Sequence, residues 1–271
     1  MSLVKFNFES QFLNGNTEVS IILPDKPREV EPKDYYSNSK KYKVLWLLHG
    51  TYGDHSDWIR KSLIELYASE KDLVVVMPSG LNANYSNWPG FMMGYNAYDY
   101  LTEELMPLVY NWFPASNKRE DNFICGLSMG GGGAIKYAVN HPDKFAAAAI
   151  LSSAPKDVRE TAKDPSARDA ASIANAGGYE AYVASNENIW EILAGMKDFS
   201  LLPKLLFVCG TKDPIAYDRF LLFRDYAAEI GLDAVFEEAE GFDHEWRLWS
   251  PVMERVFEFF GLEDAAAKNP F

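Results

Sequence analysis

The chain is poor in the residues that most often announce chemistry. It holds two cysteines and four histidines in 271 residues. Neither cysteine sits in the paired spacing of a zinc site. Cys125 and Cys209 both fall inside apolar runs, so buried small hydrophobes are the first reading and a disulfide the second. A reducing compartment fits that usage. Positive charge is also scarce: 26 lysines and arginines face 39 acidic residues, a formal net charge of −13. Nucleic acid and anionic membranes both need clustered positive charge, so neither is an expected partner. The longest basic cluster, "SNSKKYK", reads as a solvated loop ahead of a strand. Such acidity favours solubility and neutral or uncharged substrates. No stretch reaches the length of a membrane span, and no segment repeats. The start, "MSLVKFNFES", lacks the basic, apolar and small-residue succession of a signal peptide, so a cytoplasmic protein is the expectation.

What is abundant is apolar material, 48% of the residues, enough for a sizeable core. "VKFNFES" and "EVSIILP" alternate in type, as half-exposed edge strands do. "KVLWLLH", "DLVVVMP", "NFICG", "FAAAAILS" and "KLLFVCG" are continuous apolar runs closed by turn signals, which suits strands buried on both faces. Helical patterns lie between them. One from Asn96 to Phe113 places Leu101, Leu105, Leu108 and Trp112 on one face, with a kink expected at Pro107. Others run from Met129 to Asn140, from Ala216 to Ile230 and from about Glu245 to Phe260. This alternation predicts one α/β domain over residues 1–271, with about eight mostly parallel strands and helices on both faces. Residues 153–200 break the rhythm. They read as a lid or pocket wall over the carboxyl edge of the sheet, where such folds bind ligands, or as a surface helix pair.

One stretch stands apart. In "FICGLSMGGGGAIKYAV", Ser128 is the centre of G-x-S-x-G and is followed by Gly130, Gly131, Gly132 and Gly133. By composition the pattern alone recurs in roughly one chain in ten of this length. Here it follows a buried strand and opens a helix, the strand–turn–helix setting of a nucleophile elbow. A serine hydroxyl needs a base. His141 reads as a cap after the helix, and His49 and His55 as hydrogen-bonding residues of one loop. His244, in "EGFDHEWRLW", lies between the last strand and the last helix and can reach back to Ser128. Its orienting carboxylate is expected to be Asp213, just after "KLLFVCG", rather than Asp218 or the adjacent Asp243. The order Ser128, Asp213, His244 is that of α/β-hydrolases. Oxyanion donors are expected at the N–H of Met129 and at Thr51, with Gly50 as the fallback, each such donor being worth ~3 kcal/mol of barrier. Aromatics beside these loops, namely Trp58, Trp88, Phe91, Trp246 and, in the excursion, Trp190, are the candidate substrate contacts. Met92 and Phe242 flank them.

With these residues placed, the chain resembles the Putative esterase family that includes esterase D, and within it the bacterial tributyrin esterases. The likeness is carried by "LLHGTYGDHSDW", "VVVMPSG", "EELMPLVYNWFP", "NKREDNFICGLSMGGGGAIKYA", "HPDKFAAAAILS", "CGTKDPIAYD" and "EGFDHEWRLW", over roughly residues 43–260. It implies the α/β-hydrolase fold, a triad at Ser128, Asp213 and His244, and an oxyanion loop after His49. It implies carboxylic ester hydrolysis with no metal or organic cofactor. Substrates implied are short-chain acyl esters, acetylated or feruloylated carbohydrate, or S-formylglutathione. Transfer of the acyl group to an alcohol uses the same residues, and a non-catalytic binding module would not need all three. Relatives often self-associate, which allows a homo-oligomer.

Overall fold

Residues 2–265 are described by a computed structural model. Ten strands form among the described residues: β1 (Ser2–Ser10), β2 (Gly15–Leu23), β3 (Val44–Leu48), β4 (Val74–Pro78), β5 (Asn87–Trp88), β6 (Tyr95–Asn96), β7 (Asn122–Leu127), β8 (Ala147–Leu151), β9 (Lys204–Gly210) and β10 (Ala234–Ala239). Eight of them make one sheet in the order β1-β2-β4-β3-β7-β8-β9-β10, while β5 and β6 pair as a small hairpin. β1 and β2 join antiparallel, and every pairing from β4 through to β10 is parallel. The continuous apolar runs are the central strands: β3, β4, β7 and β8 are buried at every position.

Alternate residues of one strand feed opposite faces. Val44, Trp46 and Leu48 of β3 enter the core shared with the Met129–Asn140 and Tyr217–Glu229 helices. Leu45 and Leu47 enter the other, which packs on the Val252–Phe259 helix. Because parallel strands end on the same side, the loops after β3, β7, β8 and β9 gather along one edge.

Three sequence expectations change. β1 alternates as an edge strand does, but β2 is buried through Val19–Ile22 because it lies between β1 and β4. The 96–113 segment is not one kinked helix. It passes from a short α-helical turn (Ala97–Asp99) through a π-helical stretch (Tyr100–Leu105) into an α-helix (Met106–Trp112). Pro107 has no N–H to donate and its ring crowds the carbonyl a turn earlier, so the preceding turn widens and Met106 N–H bonds to Leu101 O. Leu101 and Leu105 remain buried, whereas Trp112 is turned out, 68% exposed, and meets Phe6 edge-on at 5.6 Å. The last helix is likewise two, Trp246–Trp249 and Val252–Phe259, parted at Pro251.

Residues 153–200 fold as four short helices, Val158–Lys163, Ala167–Asn175, Tyr179–Val183 and Ile189–Gly195. Among the described residues no helix is long and apolar enough to cross a membrane. Both cysteines are free thiols buried in the core.

Candidate active site

Ser128 sits between the end of β7 and the first residue of the Met129–Asn140 helix, with φ 52° and ψ −117°. Positive φ is disfavoured for a residue with a Cβ, so the turn must be held by its surroundings. It is held by glycine packing. A Cβ on Gly126 would lie 2.2 Å from Gly130 O, and one on Gly130 would lie 2.5 Å from Leu48 O. The helix thus lies directly against the ends of β3 and β7. Ser128 N–H donates to Leu151 O at 2.8 Å, tying the turn to β8.

His244 and Asp213 arrive from neighbouring loops. His244 Nδ1 is 2.7 Å from Asp213 Oδ2. Asp213 Oδ1 accepts from the N–H groups of Ile215 and Ala216, each at 2.9 Å. Burial pushes the Asp213 carboxyl up, but the His244 bond and the two backbone donors outweigh it and hold it below the ordinary carboxylate range. It is therefore an anion facing the ring, and Nδ1 carries the proton. Asp243 instead accepts the main-chain N–H of His244 at 2.7 Å, and Asp218 is exposed. The imidazole packs edge-on to Trp249, whose indole N–H donates to Ser152 Oγ at 2.9 Å. Ser152 N–H in turn donates to Val208 O of β9. Ser128 and His244 are thus each anchored to the carboxyl end of β8, through Leu151 and Ser152.

The loop after β3 closes the other side. A Cβ on Gly50 would meet Ser128 Cβ at 3.5 Å, so this backbone passes directly over the serine, with Thr51 next. Met129 opens the helix, where the first N–H groups have no intrahelical acceptor. His49 is buried; its Nε2 accepts Gly80 N–H at 2.8 Å, which leaves Nδ1–H for Gly50 O at 2.7 Å. Burial lowers its pKa, so a neutral ring braces this loop. His55 bonds Ser20 Oγ at 2.7 Å, and His141 ends its helix with its ring on Tyr98.

Comparisons with known proteins bear on the family and the fold. The model of the Putative esterase family matches residues 10–191. The acetyl esterase of Caldicellulosiruptor saccharolyticus is 30% identical over 270 residues, covering 96% of this chain and 98% of the relative. The chain belongs to the Putative esterase family. Among solved structures it is similar to the Staphylococcus aureus fluorophosphonate-binding serine hydrolase FphF (30% identity, TM-score 0.82, 96% and 98% of the two chains). It is also similar to the S. aureus S-formylglutathione hydrolase FrmB (29% identity, TM-score 0.77, 96% and 98%). The fold is that of the α/β-hydrolases, and the protein is a carboxylic ester hydrolase of the serine hydrolase kind.

This esterase has a cavity of about 280 Å³ lined by Ser128 and Met129. The expected aromatic walls are not there. Trp58 is 1% exposed, donates to Leu48 O at 3.1 Å and meets Trp246 edge-on at 5.0 Å, both on the far face of the sheet. Trp190 stacks on Tyr226 at 3.9 Å and gives its N–H to Pro155 O. Trp88 lines an adjoining hollow, and Phe91 rests edge-on against it. Met92 is 89% exposed and Phe242 packs on Gly210. The apolar lining is mainly aliphatic instead, including Ile135, Val158, Ile189 and Ile215, with Tyr182 contributing a ring. Trp58, Trp190 and Trp246 were drawn into the layers beneath their loops, where they remove more surface from water.

Sequence reasoning also missed two supports. Cys209 Sγ lies 3.8 Å from Asp213 Oδ2, and burial with that carboxylate pushes the thiol up to about 12, keeping it a neutral donor. Lys136, 3% exposed, gives its ammonium to Asn84 O, Tyr85 O, Ser86 Oγ and, at 2.6 Å, Glu187 Oε1. It joins the helix behind Ser128 to the 153–200 segment. Replacing Glu187 with Gln would leave that ammonium buried without its counter-charge. The expected loss is about 3 kcal/mol, a Tm lower by roughly 10 °C in calorimetry. A variant melting within a degree of the native protein would show the pair to be unimportant.

Proposed function

We propose that the protein hydrolyses short-chain acyl esters, acetyl esters of carbohydrates among them, through an acyl-enzyme on Ser128. One observation carries this reading: Ser128, in its φ 52° turn, lines a cavity at the sheet edge where His244 is paired with a buried carboxylate. The roles follow from the atoms. His244 Nε2 takes the hydroxyl proton as Ser128 Oγ attacks the ester carbonyl, while Asp213 fixes Nδ1–H and stabilises the imidazolium. The tetrahedral oxyanion is held by the N–H groups of Met129 and Thr51. His244 then protonates the departing alcohol as the C–O bond breaks. Water, deprotonated by the same ring, attacks the acyl carbonyl and releases the acid and the free serine.

The size of the cavity, about 280 Å³, is at the small end for ligand sites and supports a short acyl group. The acetyl esterase relative supports the same choice. Val158, Tyr182 and Ile189 line the cavity, which supports a pocket-wall role for residues 153–200. A fluorophosphonate probe is expected to add one phosphonyl group to the peptide containing Ser128, blocking hydrolysis in step. Labelling at another serine, or none, would refute the assignment.

A further inference from the structure

Carboxylates outnumber cationic side chains in this protein, 39 to 26, so an average cavity in it would be acidic. The cavity at Ser128 is the reverse. Lys136, Lys156, Arg168 and Arg219 line it, against Asp169 and Glu187 alone. Both lysines are paired within it, Lys136 with Glu187 at 2.6 Å and Lys156 with Asp169 at 2.5 Å. The arginines are not. Arg168 donates to two neutral oxygens, Thr51 Oγ1 at 2.8 Å and Asn84 Oδ1 at 2.5 Å. The guanidinium of Arg219, half-buried, makes no hydrogen bond to any of the described residues. Asp169 acts on it through space, but that carboxylate already accepts from Lys156 and Ser166.

A guanidinium presents five N–H donors in a plane, matched to the two oxygens of a carboxylate. Withdrawing such a group from water without an acceptor is unfavourable, and an anionic ligand would relieve that. The position is fixed as well. Arg219 is the third residue of the Tyr217–Glu229 helix, whose approach is clamped by Ala216 N–H on Asp213 Oδ1. Its charge is thereby held in register with the carboxylate that orients His244.

We propose that this cavity selects esters carrying a carboxylate, seated on Arg219 with Arg168 as the second charge. Monoesters of dicarboxylic acids and acyl esters of hydroxy acids are then preferred over uncharged esters. The inference rests on the hydrolytic reading above and narrows its substrate class. The local field at the serine thus opposes the acidity of the chain as a whole.

The test uses two pairs that differ only by carboxylate against carboxamide. Monomethyl glutarate with methyl glutaramate places the charge on the acyl side, and 3-acetoxybenzoate with 3-acetoxybenzamide places it on the leaving group. The native enzyme, followed by pH-stat at low ionic strength, is expected to favour the carboxylate in at least one pair by tenfold or more in kcat/KM. Added salt is expected to shrink that ratio. Arg219→Gln should bring the ratio to about one and Arg219→Lys should restore part of it. Equal or faster hydrolysis of both carboxamides, or an unchanged ratio in Arg219→Gln, would overturn the inference while leaving ester hydrolysis standing. Binding of the four compounds to the Ser128→Ala protein, by calorimetry, separates the two readings. If the native enzyme hydrolyses none of them, the hydrolytic reading falls, and a carboxylate preference in binding still upholds this one. Equal binding of both members of each pair overturns it.

Discussion

Ser128→Ala is expected to lower kcat for p-nitrophenyl acetate by roughly 10⁴- to 10⁶-fold, the range found when the nucleophile of a serine hydrolase is removed. Two other serines line the cavity, Ser152 and Ser153, and neither stands in the turn between β7 and the helix that presents Ser128. Ser152 Oγ accepts from Trp249, and Ser153 Cβ lies 2.8 Å from where one on Gly131 would lie. Some rate above water should survive, because the proposed donors at Met129 and Thr51 would still polarise the carbonyl. That residue distinguishes loss of the nucleophile from loss of the fold. Tm should change little, since alanine keeps the Cβ that the φ 52° turn already accommodates. A variant as fast as the native enzyme would remove Ser128 from the reaction. A variant that is slow but also melts early would point to the turn rather than the hydroxyl.

Much of this arrangement could be read before any coordinates. The central strands announced themselves because a segment buried on both faces must be apolar at every position, as Val44–Leu48 and Ala147–Leu151 are. The Met129–Asn140 helix starts and stops where its sequence says. Asp213 and His244 were picked out because each follows a strand of the sheet, whose loops gather at one edge, and the two side chains do meet, at 2.7 Å. What stayed hidden depends on contacts between distant segments. A run such as "SNWPGFMMG" says that its apolar side chains call for cover, yet Phe91, Met92 and Met93 are left exposed. For Trp58 and Trp246 the cover is the far face of the sheet. Nothing in the sequence marks Lys136, and only the return of the chain at Glu187, 51 residues later, explains an ammonium buried in a helix of small residues. The π-helical turn before Pro107 was half legible: proline marked the place, but not that the turn would widen rather than kink.

The glycines after Ser128 are equivalent by composition and unequal in space, which gives the second large effect. A Cβ at position 130 would stand 2.5 Å from Leu48 O and 2.6 Å from His49 O, both main-chain atoms of a central strand end. Neither can rotate away, so the helix itself must shift. Two positions on, a Cβ at 132 finds nothing nearer than Ser153 Oγ at 3.7 Å. Gly130→Ala is therefore expected to lower stability by about 3 kcal/mol or more through overpacking. Gly132→Ala is expected to be neutral or to stabilise by up to about 1 kcal/mol, since alanine is the better helix former. Urea titration of the two variants, with m unchanged, reads the difference directly as a shift in midpoint. The damage at position 130 also reaches the chemistry. Moving the helix away from His49 separates Met129 and Ser128 from the Gly50–Thr51 loop that the Gly130 contact holds close, so kcat should fall alongside stability. Two variants of equal stability would mean that this close approach does not hold the turn, and the strained φ of Ser128 would then have to be imposed by its bond to Leu151 and the β8 edge alone.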